Sequence, residues 1–230
     1  MSLVITDKEI EKAKEIVSGS RGPEELLNLA YAVTFGGSSS CKKCSMCCQK
    51  YVRGKGKLPA NILFIGEAPG AEDEKTGKPF SGQEGKLFEN LIKASGLTGE
   101  DYYVTNVLKC RPPLNRKPEF EEMANCQDLL VTEIITATCL CPHTFIVPLG
   151  GIALISIFCL YGLENELRPI SFLAGKEFKN KKRLTKSTEE VSIVPMFHPS
   201  AGLYNPALKP RMLADMQMLA NSYLLQKCRK

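Results

Sequence analysis

Four apolar runs, at residues 61–65, 102–108, 145–149 and 191–197, each stop at a segment rich in Gly, Pro or polar residues, and helical patterns separate them. Strand–loop–helix alternation of this kind builds a largely parallel sheet with helices on both faces, a three-layer α/β/α architecture. In such sheets ligands bind outside the carboxyl ends of the strands. The loops that follow the runs are therefore where chemistry is expected: GEAPG after the first, KCRPP after the second, Gly150-Gly151 after the third and His198-Pro199-Ser200 after the last.

The helical patterns fall at residues 5–17, 23–32, 82–96, 119–136, 152–161 and 213–226. Pro23 and two glutamates open the second, and the third carries Leu87, Phe88, Leu91 and Ile92 on one face. Residues 172–183 read as a basic hairpin or loop. With 230 residues, 43% hydrophobic and 24% charged, the chain can bury a full core and is not globally disordered. No apolar run reaches the roughly 20 residues of a membrane helix. The charged first 14 residues do not look like a signal peptide, so the cytoplasm is the expected compartment and a monomer the default state. A small-residue stretch at 36–40 suggests a division into an N-terminal helical extension, 1–40, and a main domain, 41–230.

The net charge of +5 is compatible with a nucleic-acid partner without requiring one. Two basic stretches stand out, Arg53/Lys55/Lys57 and Lys176/Lys179/Lys181/Lys182/Arg183/Lys186; either serves phosphates or is a solvated face.

Ten cysteines are many for such a chain. A secreted disulfide scaffold fits poorly, so metal or cluster ligation is the better account of some of them. Cys41 and Cys44 form a C-x-x-C pair, and Cys110 and Cys126 bracket a loop and a helix start. Four soft, anionic thiolates suit a cubane iron–sulfur cluster or a structural zinc. Cys47 and Cys48 leave the first pair ambiguous. Cys139, Cys141, Cys159 and Cys228 read as ordinary thiols.

Glu67 should stand at the carboxyl end of the first strand, in a loop whose glycines admit close backbone approach. Phe80 lies in a glycine-flanked segment, TGKPFSG, which suits a ring presented to a planar ligand. Asn106 ends the second strand with one amide donor and one acceptor. His198 ends the last. Singly these are weak signals; together they converge on one sheet edge.

The ordered set GEAPG, TGKPFSGQEGKLF, YVTNVLKCRPPLNRKP and MFHPSAGLYNP resembles the family 4 uracil-DNA glycosylases, from about Cys41 to about Leu219. The resemblance implies a four-stranded, mainly parallel sheet flanked by helices, a [4Fe–4S] cluster, and excision of uracil from single- or double-stranded DNA to leave an abasic site. It implies Cys41, Cys44, Cys110 and Cys126 as cluster ligands. Glu67 matches the acidic residue linked to the attacking water, Phe80 the ring that stacks on uracil, Asn106 the amide that reads its edge, and His198 the histidine beside uracil O2. Gly66 belongs to the same pocket, and Asp73 is a candidate for the wall that excludes thymine's methyl group.

Two other readings use the same residues. A uracil-binding relative that cross-links to DNA has GEQPG in place of GEAPG and a His-containing insertion; here position 68 is Ala, and the histidines are His143 and His198. A zinc-stabilised nucleic-acid-binding module would use the same four cysteines.

Overall fold

The computed structural model describes residues 22–33, 44, 46, 50–138, 141, 143–180 and 190–227. A six-stranded sheet runs through it: β1 (Lys55–Gly56), β2 (Ile62–Gly66), β3 (Tyr102–Asn106), β4 (His143–Pro148), β5 (Phe178–Asn180) and β6 (Glu190–Ile193), in the spatial order β1-β3-β2-β4-β6-β5. The inner four strands are parallel, as the alternation predicts. The outer two pair antiparallel. The helices are α1 (Pro23–Val33), α2 (Ala71–Thr76), α3 (Gln83–Ser95), α4 (Phe120–Thr138), α5 (Gly151–Tyr161), α6 (Ile170–Leu173), α7 (Pro199–Tyr204) and α8 (Lys209–Lys227).

Every residue of β2 is buried, the mark of a strand covered on both faces. Its side chains alternate, as the pleat requires. Ile62 and Phe64 enter one core with Phe88, Leu91 and Ile92 of α3 and Met212, Met216 and Leu219 of α8. Leu63 and Ile65 enter the other, with Leu129, Leu130 and Ile134 of α4 and Leu154, Ile157 and Phe158 of α5. Leu27 and Tyr31 of α1 belong to this second core, so α1 lies on the domain it precedes. The helical pattern at 5–17 and the small-residue stretch at 36–40 lie outside the described residues.

The two edge strands are too short and polar to show a period in sequence. Their charged residues have structural work. Lys55 and Lys57 pair with Glu89 and Glu100 at 3.8 and 3.3 Å. Arg53 donates to Asn28 and lies 4.8 Å over the Tyr31 ring. This basic stretch is therefore a paired edge, a usual guard against strand addition. Of the second stretch, Lys176 and Lys179 are exposed, and 181–189 lie outside the described residues. β6 stops at Ile193 because Pro195 has no N–H to give, yet pairing resumes as Met196 N–H donates to the Pro148 carbonyl at 3.0 Å. The chain thus reaches His198 still anchored to β4. Helix α8 starts at Lys209, four residues before the predicted 213, with Pro210 in its first turn, where proline is well tolerated. Among the described residues no helix is long and apolar enough to cross a membrane.

Candidate active site

From β2 the chain crosses to β3 on one side and later to β4 on the other. A crevice forms at such a reversal, outside the carboxyl ends of the strands. Gly66 and Asn106, the last residues of β2 and β3, are register partners. A Cβ on Gly66 would fall 2.3 Å from Asn106 Oδ1 and 2.9 Å from Phe80 Cζ. Any side chain there would force the Asn106 amide or the Phe80 ring to shift, so a ring and an amide close directly on this backbone. Asn106 is buried, and its carbonyl accepts from Lys109 Nζ at 2.6 Å.

Phe80 is held in place at some conformational cost. Its φ is 55°, a left-handed value that non-glycine residues rarely adopt. Helix α3 backs directly onto it: a Cβ on Gly85 would lie 1.9 Å from the Phe80 carbonyl oxygen. The ring is only 5% exposed, packs on Phe88 with centroids 5.1 Å apart, and faces the His198 ring at 5.7 Å and 33°. It is both a core residue and a wall of the crevice.

His198 caps α7. Its Nδ1 accepts the backbone N–H of Ser200 at 3.2 Å and lies 2.8 Å from Ser200 Oγ. A backbone N–H can only donate, so Nδ1 is the acceptor, and in the neutral ring the proton sits on Nε2. Burial pushes the imidazole's pKa down to about 4, so the ring is neutral at physiological pH. His143 cannot share this work: it begins β4, at the opposite end of the sheet, edge-on to Phe145 at 4.9 Å. The segment that follows His198, expected as a loop, forms the short helix α7 and the start of a 3-10 turn instead. The cap supplied by His198 and Pro199 in the first turn account for the helix.

Glu67 directly follows β2 and is half-buried. Burial raises its carboxyl above the ordinary value, and the Lys117 charge partly opposes this. Asp73 has both oxygens engaged: Oδ2 accepts from the Gly70 N–H at 3.2 Å and Oδ1 from the Ser81 N–H at 2.6 Å. It ties the loop bearing Glu67 to the loop bearing Phe80. That tether escaped the sequence reading, although an acidic side chain three residues after Gly70, at a helix start, is the signal of a reciprocal cap.

Cys44, Cys110 and Cys126 are buried in one small apolar cluster with Met46 and Leu108, flanked by Ala68 and Met123. Burial raises the Cys126 thiol's pKa; the Lys109 backbone N–H and charge oppose this, and Cys44 adds to the rise. Cys41, Cys47 and Cys48 lie outside the described residues. Among the described residues no three Cys, His, Asp or Glu side chains are grouped to hold a metal ion. The donor chemistry, soft thiols in a dry pocket reached from two distant parts of the chain, fits an iron–sulfur cluster. Elsewhere, the Cys141 Sγ contacts the Ala137 carbonyl and Cys159 is exposed on α5.

A buried pair missed in sequence stands behind this edge. Lys109 and Glu133 are fully buried and bonded to each other at 2.5 Å. Lys109 also reaches Thr105 Oγ1 and the Asn106 carbonyl. Glu133 also accepts from Tyr31, Tyr103 and Thr105 hydroxyls and from the Gly54 N–H. In the sequence Lys109 is one cation among many; only folding brings it to Glu133.

Comparison with known proteins adds the family context. Residues 53–218 match the uracil DNA glycosylase superfamily. Type-4 uracil-DNA glycosylase of Archaeoglobus fulgidus is 39% identical over 182 residues, 78% of this chain and 86% of the relative. That of Sulfurisphaera tokodaii is 38% identical, covering 78% and 79%. That of Thermotoga maritima is 38% identical, covering 78% and 89%.

Proposed function

The chain belongs to the type-4 uracil-DNA glycosylases of the uracil DNA glycosylase superfamily, and we propose that it flips uracil out of DNA and hydrolyses its N-glycosidic bond, leaving an abasic site for base excision repair. The observation that carries the residue assignment is the convergence of Gly66, Phe80, Asn106 and His198 on one crevice.

Flipping a nucleotide out of a duplex costs a few kcal/mol, least at a mismatch. Stacking on Phe80 offsets part of that cost, at roughly 1–3 kcal/mol per base. Asn106 offers uracil N3–H an acceptor and O4 a donor. Gly66 lets the base lie against the floor. Asp73, by fixing the two loops to one another, sets the wall a thymine methyl would strike. As the bond breaks, negative charge gathers on the base and positive charge on the sugar. The neutral His198, carrying its proton on Nε2, donates toward O2 and stabilises the leaving anion. The Glu67 carboxylate stabilises the sugar cation and orients the attacking water.

Cys41, Cys44, Cys110 and Cys126 would hold the [4Fe–4S] cluster, which supplies a cross-link between the N-terminal segment and residues 110–126; hydrolysis needs no redox step from it. Residues 41–230 form the catalytic domain and 1–40 a helical extension in this reading. DNA of either strandedness is the partner, and the enzyme works in the cytoplasm as a monomer.

The test is incubation with a uracil-containing oligonucleotide followed by alkaline cleavage. Strand scission at uracil, absent from a thymine control, is the expected result. An intact strand after prolonged incubation with protein whose spectrum shows its cluster would sink the reading.

A further inference from the structure

We propose that Lys109, braced by Glu133, is a positioning residue that aims the Asn106 amide at the flipped base. This rests on the glycosylase reading. Strand β3 does not run straight into the site. Its Tyr103 and Val104 pair with Gly56 and Lys55 of β1, and pairing resumes where Cys110 bridges Tyr51. Between these points residues 105–109 on one side face only 52–54 on the other, a bulge of two extra residues. Bulges beside active sites commonly re-aim a side chain, and Asn106 stands in this one.

A bulge takes backbone groups out of the ladder, and buried ones need other partners. The Lys109–Glu133 pair supplies them on both sides. On the long side the Lys109 ammonium donates to the Asn106 carbonyl at 2.6 Å and to Thr105 Oγ1 at 2.9 Å. On the short side Glu133 Oε1 accepts the Gly54 N–H at 3.2 Å. The same oxygen accepts from the Tyr31 and Tyr103 hydroxyls at 2.8 and 3.3 Å, and Oε2 accepts from Thr105 at 2.7 Å. The ammonium holds the carbonyl next to the Cα that carries the amide, and the carboxylate holds the ammonium.

Stability alone does not account for the pair. A buried ion pair replaced by apolar side chains of similar volume often leaves a protein as stable or more so. Both side chains here are fully buried. What apolar side chains could not do is hold a carbonyl and an N–H that the ladder has released. In front, the amide has no slack: a Cβ on Gly66 would stand 2.3 Å from Asn106 Oδ1. Bare backbone confines the amide from the crevice side and the ammonium fixes its mounting from behind. A shift at the end of β3 would carry Oδ1 and Nδ2 off uracil N3–H and O4 together.

The experiment compares wild type, Lys109→Met and Lys109→Met/Glu133→Gln, each also in an Asn106→Ala background. Four quantities are read: melting temperature, single-turnover excision from a uracil oligonucleotide, inhibition by free uracil, and affinity for an abasic duplex, which lacks the base. Lys109→Met strands the Glu133 charge and should melt lower. The double variant strands no charge and should melt close to wild type. It should still excise about tenfold or more slowly and need about tenfold more free uracil for half-inhibition, with abasic-duplex affinity unchanged. Because Lys109 acts through Asn106, the same double substitution should slow excision little further in the Asn106→Ala background. Four results would overturn the inference while leaving the glycosylase reading intact: recovery of excision and uracil inhibition along with melting, an equal loss of abasic-duplex affinity, a loss undiminished in the Asn106→Ala background, or a double variant that does not fold. Wild type inactive on the uracil oligonucleotide would instead remove the reading on which it rests.

Discussion

At the scale of single residues, the site depends on what is missing at position 66. The Cβ of an alanine there would stand 2.3 Å from Asn106 Oδ1, far inside contact distance. Asn106 or the ring of Phe80 would have to move, and both line the crevice. Gly66→Ala should therefore leave the fold intact and reduce excision by about 100-fold or more, since small misplacements of reacting groups are that costly. Circular dichroism and single-turnover rates on one preparation check this; wild-type activity would show the floor to be further from the base than drawn. The titrations differ in a useful way. Burial holds the Glu67 carboxyl above its ordinary value and the His198 imidazole down at about 4. On lowering the pH from neutrality, the Glu67 carboxyl protonates earlier than an ordinary carboxyl would, and His198 charges later than an ordinary imidazole would. One acid limb is expected, displaced upward from the ordinary carboxylate range, with no break near 6.5, and Glu67→Gln should be slow and flatter across it. A break near 6.5 would mean His198 is accessible to protons. For stability the sign is the same: the neutral buried ring contributes fully above about 6.5, and that contribution is lost as pH falls toward about 4. Of these residues, the ends of strands were legible because Gly, Asn and His interrupt apolar runs. The Asp73 tether and the protonated nitrogen of His198 were not, because each depends on a backbone N–H that only the folded loop presents.

At the scale of elements, the four inner strands and the long helices were legible from their periodicity, because burial on both faces of β2 or on one face of α3 forces an apolar pattern. Strands β1 and β5 and helices α2 and α7 were not. They span two to six residues, are partly polar, and exist because a neighbour pairs or caps them. The Lys109–Glu133 bond joins two such levels, linking α4 to the end of β3 next to both Asn106 and Cys110. Breaking a buried pair by removing one partner typically costs about 3–5 kcal/mol, because the other charge is stranded. Lys109→Met should destabilise the protein by about that amount and Glu133→Gln by less, since Gln still accepts from the tyrosine and threonine hydroxyls around it. Denaturant midpoints measure both. If Lys109→Met unfolds like wild type, water reaches Glu133 and the site is less dry than its full burial indicates.

At the scale of the whole molecule, the thiols are what reaches across the chain. Cys44 comes from a segment that precedes the sheet, Cys110 from the end of β3 and Cys126 from α4. A cluster there would close a covalent loop through residues 44–126, which hold Glu67, Phe80 and Asn106. Anything that releases the cluster should therefore loosen the site as well as the fold. The purified protein should be brown with broad absorbance in the visible blue and about four irons per chain. Oxidative bleaching or Cys110→Ala should lower the melting temperature and excision together, because the loop constraint and the desolvated thiol pocket fail at once. Cys159→Ala, on the exposed face of α5, should leave colour, melting and activity as they were. A colourless protein with stoichiometric zinc would keep the cross-link and remove the iron. Bleached protein with full activity and unchanged melting would show that α4 and β3 hold the site without the thiols. The first outcome changes the metal, and the second removes the reason for burying three cysteines together.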